Sequence, residues 1–268
     1  MILDEIVAFK KRELRRARQE RPPAELKARI RGLPPPRPFA LRSEGEVSIL
    51  AEIKRASPAK GVLRADLDPA DLARRYQEGG ARAISVLTDR EFFKGSPEDL
   101  AAARRAVELP VLRKDFVIDE YHLWEARAMR ADAALLIVRI LDRRQLADYI
   151  ALAREELGLA ALVEAHTEKE VETALDAGAS IVGINNRDLD TFRVSLETTA
   201  RLRGLIPPSV TVVSESGIAR PDDVALLRAL KVDAALVGEE LVKAEDPAAR
   251  IRELRGAHHA RTGNPRRD

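Results

Sequence analysis

From Ser48 onwards, short apolar runs alternate with longer amphipathic segments along the chain. Short runs without a polar face are typical of parallel strands that helices cover on both sides. We therefore predict strands at 48–53, 83–88, 110–114, 133–138, 160–165, 180–185, 210–215 and 234–238. Apolar residues at helical spacing predict helices at Pro69–Gln77, Pro97–Val107, Glu120–Met129, Arg143–Leu157, Glu168–Ala177, Leu196–Leu205, Pro221–Leu230 and Pro247–Leu254.

A faint internal repeat supports this alternation. The segments "GGARAISVLT", "MRADAALLIV", "AGASIVGINN" and "LKVDAALVGE" each place a helix end and a turn of small residues before a strand. Their period of about 50 residues corresponds to two strand–helix units, so four copies make eight units. Eight units predict an α/β fold, a (β/α)8 TIM barrel. A doubly wound open sheet is the competing fold, but its usual glycine fingerprint is missing after the first strand.

The segment before Ser48 has a different character. An apolar stripe and early acidic residues predict a helix over residues 2–20, and prolines flank a short helical piece at Ala24–Arg31. We therefore predict an N-terminal helical extension at 1–47, the barrel at 48–255, and a disordered tail at 256–268 that contains His258 and His259.

Composition narrows the class of protein. The 46 basic and 44 acidic residues nearly cancel to a net charge of +2, which argues against a nucleic-acid partner. Cysteine is absent, and no apolar run reaches the ~18 residues that a membrane span needs. The N-terminus also lacks the apolar core of a signal peptide. We expect a cytoplasmic protein without a membrane partner.

Polar residues recur where the predicted strands end. In a barrel these ends surround the mouth, where active sites form. The residues are Glu52, Lys54, Lys114, Asp115, Arg139, Glu164, Asn185, Asn186, Arg187, Glu215 and Ser216. A buried lysine and glutamate can each be tuned to act as acid or base, although structural ion pairs could explain any single one. No spacing resembles a metal site, so no metal is predicted; His166 could edge the site, while His122 is expected at the surface or in packing.

Small residues follow the last two strands, in "SESGI" and "LVGEE". Loops at these positions bind phosphate in many barrels through backbone N–H groups, although each glycine could also serve a turn. The pair predicts an anionic phosphate ligand.

Eight segments together resemble the indole-3-glycerol-phosphate synthase family: "ILAEIKRASPAKG", "ISVLTDREFFKGS", "PVLRKDFVIDEYHL", "ALLIVRIL", "LVEAHTEKE", "GINNRDL", "VSESGI" and "LVGEELV". The resemblance implies a barrel whose N-terminal helical extension lies over the mouth. It also implies an enzyme of tryptophan biosynthesis that needs no cofactor or metal. In the implied reaction, 1-(2-carboxyphenylamino)-1-deoxyribulose 5-phosphate undergoes ring closure, decarboxylation and dehydration to give indole-3-glycerol phosphate.

The resemblance further implies roles for individual residues. Lys114 would be the general acid and Glu164 the second acid–base residue, although the sequence leaves open which of them serves which step. The remaining catalytic residues would be Lys54, Glu52 and Asn185. The substrate-binding residues would be Ser57, Arg187, Glu215 and Ser216, with Phe93, Phe116, Leu135 and Ile218 around the ring. The backbone amides of Gly217, Gly238 and Glu239 would bind phosphate, with Glu240 directed outward.

Two other functions stay open. Another phosphate-binding barrel, such as phosphoribosylanthranilate isomerase or the α subunit of tryptophan synthase, would use a different acid–base set. A barrel that only binds a partner would not need Lys114. The expected partner is a phosphorylated small molecule, and the expected state is a monomer or weak homo-oligomer.

Overall fold

The structure, a computed structural model, describes residues 2–188 and 191–256. Its strands are β1 (Ser48–Ile53), β2 (Ala56–Ser57), β3 (Gly61–Val62), β4 (Ala83–Leu87), β5 (Val111–Lys114), β6 (Ala133–Ile137), β7 (Ala160–Ala165), β8 (Ile181–Asn185), β9 (Thr211–Glu215) and β10 (Ala234–Val237). Its helices are α1 (Ile2–Glu20), α2 (Pro23–Ile30), α3 (Pro69–Glu78), α4 (Pro97–Ala106), α5 (Glu120–Ala128), α6 (Arg143–Ala151), α7 (Glu168–Asp176), α8 (Glu197–Arg203), α9 (Pro221–Ala229), α10 (Glu239–Val242) and α11 (Pro247–Leu254).

Eight parallel strands close into a barrel in the order β1-β10-β9-β8-β7-β6-β5-β4. The closing pair joins β1 to β10, with Ser48 opposite Ala234 and Ala51 opposite Val237. The predicted (β/α)8 barrel is therefore confirmed, and a helix follows every barrel strand. None of the helices within the described residues is long and apolar enough to cross a membrane.

Side chains that alternate along each strand form two apolar clusters. In β1, Ile49 and Ala51 belong to the cluster beneath the outer helices, whereas Leu50 belongs to the cluster inside the barrel. The interior cluster also contains Leu112, Leu162 and Val213 from three other strands. Because side chains two apart on a strand share a face, the residue that follows each of these by two also points into the barrel.

Local capping residues fix where many of the outer helices begin. The side chains of Asp68, Ser96, Asp119, Asp142, Thr167 and Asp246 each accept a hydrogen bond from a backbone N–H of the first turn. Such caps satisfy N–H groups that have no partner within the helix. They explain why the predicted helix starts agree closely with the observed ones.

Several short elements differ from the predictions. The fourth predicted strand segment, 133–138, corresponds to β6 and ends at Ile137, and Val138–Ile140 forms a 3-10 turn. The helix predicted at Arg143–Leu157 is α-helical only to Ala151 and continues as a π-helix over Leu152–Glu156. The β2–β3 pair and α10 were not predicted, because elements of two to four residues have no periodicity to read.

Helix α1 lies over the mouth of the barrel and is tied to it by a buried cation. The Lys10 side chain is only 4% exposed, and its ammonium lies 3.0 Å from Asp89 and 2.8 Å from Asp115. Asp89 follows β4 and Asp115 follows β5 directly. The hydroxyl of Tyr121 in α5 also donates to the carbonyls of Ala17 and Arg21, which fixes the far end of the helix.

The segment between α2 and β1 is fastened beneath the opposite end of the barrel. Asp132 is buried just before β6 and accepts hydrogen bonds from the backbone of Arg37, the backbone of Val111 and the side chain of Arg104. The guanidinium of Arg37 donates in turn to the carbonyls of Val107 and Leu109. One carboxylate therefore joins the N-terminal segment to two strands and a helix.

Candidate active site

The mouth of the barrel holds a cavity of about 390 Å³, a size suited to a small organic ligand. Of the four charged side chains that follow the interior apolar layer by two positions, three line the cavity and the fourth, Glu215, is buried against Lys114. Glu52 follows Leu50, Lys114 follows Leu112, Glu164 follows Leu162, and Glu215 follows Val213. Strand alternation thus aims four charged groups from four strands at one point.

Lys114 lies at the centre of these charges. Its ammonium donates a short hydrogen bond to Glu215 and lies 3.7 Å from Glu164. Burial alone would lower the pKa of Lys114, but the negative charges of Glu215, Glu164 and Glu52 outweigh it and raise that pKa. Lys114 is therefore a charged ammonium at neutral pH, in the protonation state that a general acid requires.

Glu215 has the opposite balance. Burial raises its pKa, the ammonium of Lys114 opposes this, and the neighbouring carboxylates of Glu164 and Glu52 add to the rise, to about 7. A carboxyl group with this pKa can gain or lose a proton at neutral pH. It gives the site a proton-exchanging group beside the lysine.

Glu52 and Lys54 form a second pair at the end of β1, with 2.5 Å between Nζ and Oε1. Burial would raise the pKa of Glu52, but the charges of Lys54 and Lys114 hold it below its ordinary value. Tyr76 in α3 donates to the backbone carbonyl of Glu52 at 3.0 Å and fixes this turn of the strand. Arg55 points the other way and pairs with Asp99 of α4.

Two glycines leave room for these carboxylates. A Cβ on Gly183 would lie 2.1 Å from Oε1 of Glu215, and a Cβ on Gly238 would lie 2.4 Å from Oε1 of Glu52. Any side chain at either position would displace the carboxylate. The glycines of β8 and of the β10 end are therefore part of the site's geometry.

Asn185 lies opposite Glu215 in the sheet, and Ser216 follows Glu215 directly. The amide oxygen of Asn185 accepts from the backbone of Arg187 at 3.0 Å and from the hydroxyl of Ser216 at 2.9 Å. The neighbouring Asn186 is buried and donates to the carbonyls of Glu215 and Ser216. Ser216 has a left-handed φ of 67°, a costly conformation for a residue with a side chain, and this asparagine network holds it.

Apolar side chains enclose one side of the cavity. The rings of Phe93 and Phe116 face each other with centroids 6.0 Å apart. Leu135, Ile218 and Ser57 line the same space, as predicted. Helix α1 adds Ile2, Leu3 and Ile6, which the sequence reasoning placed over the mouth only as a helix and not as named cavity residues. The amphipathic stripe of α1 was the signal that could have identified them.

The loops after β9 and β10 also border the cavity. Gly217 has a φ of 83°, which continues the left-handed turn begun at Ser216. Gly238, Glu239 and Glu240 also line the cavity, and α10 begins at Glu239. The carboxylate of Glu239 pairs with Lys243 at 2.7 Å, and that of Glu240 lies 3.2 Å from Arg250. Fifteen of the sixteen predicted site residues therefore line one cavity, and the sixteenth, Glu215, is fully buried behind it against Lys114.

The two histidines weighed from sequence have different environments. His166 is buried, with Nε2 3.5 Å from Glu164 and Nδ1 3.3 Å from Glu170, so it contacts the site through Glu164. His122 is buried in α5, and burial lowers its pKa to about 4. Arg139 is exposed in the 3-10 turn after β6. His258 and His259 lie outside the described residues, as does the tail predicted beyond Gly256.

The Lys10–Asp89–Asp115 cluster beside the site was not anticipated as a unit. Asp115 receives further hydrogen bonds from Arg113 and Thr88, and the carboxylate of Asp89 accepts from the backbone of Phe92 and Phe93. Only Asp115 was noted among the strand-end residues. Within residues 2–188 and 191–256, no group of three acidic or histidine side chains is arranged to hold a metal ion.

Comparison with known proteins identifies the family that this chain resembles. A family model described as indole-3-glycerol phosphate synthase matches residues 3–254. A protein of that name from Aromatoleum aromaticum is 49% identical over 260 residues, covering 95% of this chain and 99% of that relative. Another from a Roseiflexus species is 50% identical over 265 residues, covering 95% of this chain and 98% of the relative.

A solved structure is similar in fold alone. A thiamine phosphate pyrophosphorylase from Pyrococcus furiosus superimposes with a TM-score of 0.57 at 19% identity, covering 79% of this chain and 95% of that one. At this identity the likeness supports the barrel architecture and carries no argument about chemistry.

Proposed function

The chain belongs to the indole-3-glycerol phosphate synthase family, and we propose that the charged residues at the barrel mouth carry out that family's reaction. The enzyme is a decarboxylating lyase of tryptophan biosynthesis. It closes the pyrrole ring of a carboxyphenylamino-deoxyribulose phosphate and releases carbon dioxide and water to leave indole-3-glycerol phosphate. The substrate carries a phosphate, a carboxylate and an aromatic ring, which set three requirements for the site.

The observation that carries the assignment is the environment of Lys114. Ring closure requires a proton donor at the ribulose carbonyl, because the attacking ring carbon pushes negative charge onto that oxygen. The Lys114 ammonium is buried in the cavity with a raised pKa and three carboxylates around it. We assign it as the general acid, since it is charged and faces the space where the carbonyl would lie.

Glu164 is proposed as the second acid–base residue. It reaches the cavity from β7 and contacts both Lys114 and His166, so it can exchange a proton during the later loss of water. Glu215 is proposed to bind the substrate beside Lys114. Its raised pKa also allows it to return a proton to the lysine after the first step.

Glu52 and Lys54 are proposed to position the substrate and to support Lys114 electrostatically. Their pair lies at 2.5 Å, and Glu52 contributes to the raised pKa of Lys114. Asn185 and Arg187 are proposed to bind the hydroxyl groups or the carboxylate of the substrate. They lie at the end of β8, between the acid–base group and the loop after β9.

The two sides of the cavity match the two ends of the substrate. Phe93, Phe116, Leu135 and Ile218 form an apolar wall that suits the anthranilate ring. The backbone amides of Gly217, Gly238 and Glu239 are proposed to bind the phosphate, with Ser57 and Ser216 as further polar contacts.

A fluorescence assay tests the assignment. Wild type, Lys114→Ala and Glu164→Gln are incubated with the carboxyphenylamino substrate, and indole fluorescence is followed; Lys169→Ala, an exposed lysine of α7, is the control. We expect kcat to fall by roughly 10²–10⁴ in the first two variants, the range of general acid–base catalysis, and to stay at the wild-type value in the control. Lack of product from the wild type would contradict the function. Full activity in both site variants would contradict the residue roles.

We also propose that the chain works in the cytoplasm as a monomer or weak homo-oligomer. Among the described residues, the exposed apolar side chains of Val62, Leu205 and Leu226 lie in β3, after α8 and in α9, while Phe192 and Val194 line the cavity. Scattered residues of this kind do not form the continuous patch of a stable interface. Light scattering across a concentration series measures the assembly, and a mass of two chains at low concentration would contradict the proposal.

A further inference from the structure

Arg250 of α11 connects the two loops assigned above to phosphate binding. Its Nη2 donates to the carbonyl of Ala219 at 2.5 Å and lies 3.2 Å from the carboxylate of Glu240. Ala219 belongs to the loop after β9, and Glu240 belongs to α10 after β10. We propose that Arg250 is a positioning residue for the phosphate subsite, an inference that rests on the proposed function.

The first contact fixes the end of the β9 loop. The Ala219 N–H donates to Asp223 of α9 at 2.9 Å, while the Ala219 carbonyl accepts from Arg250. Both polar groups of this residue are therefore held from outside the cavity. Ser216 and Gly217, just upstream, are left-handed at φ of 67° and 83°. A turn with that geometry keeps its N–H groups aimed at a ligand only if its end is anchored.

The second contact controls an unfavourable charge. Glu240 borders the cavity, and a carboxylate near a phosphate dianion would weaken its binding. The guanidinium of Arg250 holds that carboxylate and offsets its charge. Both glutamates that follow Gly238 at the proposed phosphate site therefore have a cationic partner. Lys243 pairs with Glu239, and Arg250 pairs with Glu240.

The guanidinium itself is oriented from its own helix. Its Nη1 donates to Glu253, one turn further along α11, at 2.6 Å. With one edge held by Glu253, the other edge faces Ala219 and Glu240 together. A lysine presents one compact charge and lacks this planar fork, so it cannot reproduce all three contacts.

Inhibition by two partial ligands distinguishes a positioning role of Arg250 from a general effect of Arg250 on stability. The variants are Arg250→Gln, Arg250→Lys and the double variant Arg250→Gln/Glu240→Gln. Arg255→Gln is the matched control, because Arg255 ends the same helix but pairs with Glu46, away from the cavity. Each is assayed for kcat, KM and inhibition by inorganic phosphate, a probe of the phosphate end, and by anthranilate, a probe of the ring end.

We expect Arg250→Gln to raise KM and the inhibition constant of phosphate by about tenfold, on the scale of one charge-assisted hydrogen bond. We expect kcat and the inhibition constant of anthranilate to stay within about twofold, because loss of uniform binding raises KM alone. The double variant should recover about threefold of the lost phosphate affinity, since the freed carboxylate is gone. Arg250→Lys should lie between wild type and Arg250→Gln, and keeps the test available if Arg250→Gln does not fold.

Three outcomes would overturn the inference: a phosphate constant unchanged in Arg250→Gln, equal weakening of phosphate and anthranilate, or no recovery in the double variant. In each case a wild type that converts the substrate leaves the proposed function intact. A wild type without turnover contradicts the proposed function itself, so the two failures are distinguishable.

Discussion

Substitution of Lys10 by methionine should reduce the free energy of unfolding by about 3 kcal/mol, the lower end of the 3–5 kcal/mol for breaking a buried ion pair. Methionine keeps the length and packing of the stem but removes the ammonium from between Asp89 and Asp115. Asp115 keeps Arg113 and Thr88 as partners. Asp89 is fully buried and loses the ion-pair partner that the described residues give it, so most of the cost arises there.

Urea unfolding followed by circular dichroism measures this loss, with extrapolation to zero denaturant. The double variant Lys10→Met/Asp89→Asn is the decisive comparison. An asparagine oxygen can still accept from the backbone of Phe92 and Phe93 without a buried charge. We expect the double variant to regain about 2 kcal/mol of the loss, because replacing both members of a buried pair costs less than removing one.

The pH dependence provides a second check. Burial raises the pKa of Asp115, but Lys10 and Arg113 outweigh burial and hold it far below its ordinary value. Its stabilising contribution is therefore complete above about pH 4, the pKa of an unfolded aspartate, and is lost as the pH falls further. Lys10→Met should lose stability less steeply on the acid side. A single variant within 1 kcal/mol of wild type, or a double variant less stable than the single, would refute this reasoning.

Two further substitutions test the site. Gly183→Ala should lower kcat by about 10²-fold, because the new Cβ would displace the Glu215 carboxylate from Lys114. Steady-state kinetics measure this loss. Gly204→Ala is the control, because its new Cβ would meet no atom within 4 Å. A kcat within threefold of wild type would contradict the steric argument. Glu215→Gln should become more stable relative to wild type by about 1–3 kcal/mol as the pH rises from 5 to 8, because a carboxyl whose folded pKa is raised to about 7 destabilises the fold once it ionises. Parallel unfolding curves at the two pH values measure this difference, and a constant difference would argue against the raised pKa.

Features that depend on a local sequence pattern could be predicted. Leu50 and Glu52 differ by two positions on a strand whose alternation is visible in the letters, and the same holds for Leu112 and Lys114. Once the barrel was inferred, this alternation placed the charges inside the mouth. Capping residues such as Ser96 marked helix starts for the same local reason.

Features that depend on distant pairs could not be predicted in this way. Lys10 meets Asp89 and Asp115 only because α1 folds back over the mouth, and its own surroundings in the sequence are those of an exposed helix lysine. Arg250 likewise sits among ordinary helix residues, and its contacts to Ala219 and Glu240 exist only in three dimensions. The family resemblance named residues that are expected to touch substrate, but not those that hold them in place.

The buried ammonium of Lys10 also determines how often α1 can separate from the barrel mouth. Lifting α1 would break an ion-pair cluster worth about 3–5 kcal/mol, so only on the order of 10⁻² to 10⁻⁴ of the molecules would be open on that side at any moment. The β2–β3 pair is more exposed, with Val62 at 65%, and the Lys60 ammonium in its turn lies 4.0 Å from Glu239. Helix α1 should therefore act as a fixed wall of the cavity during turnover.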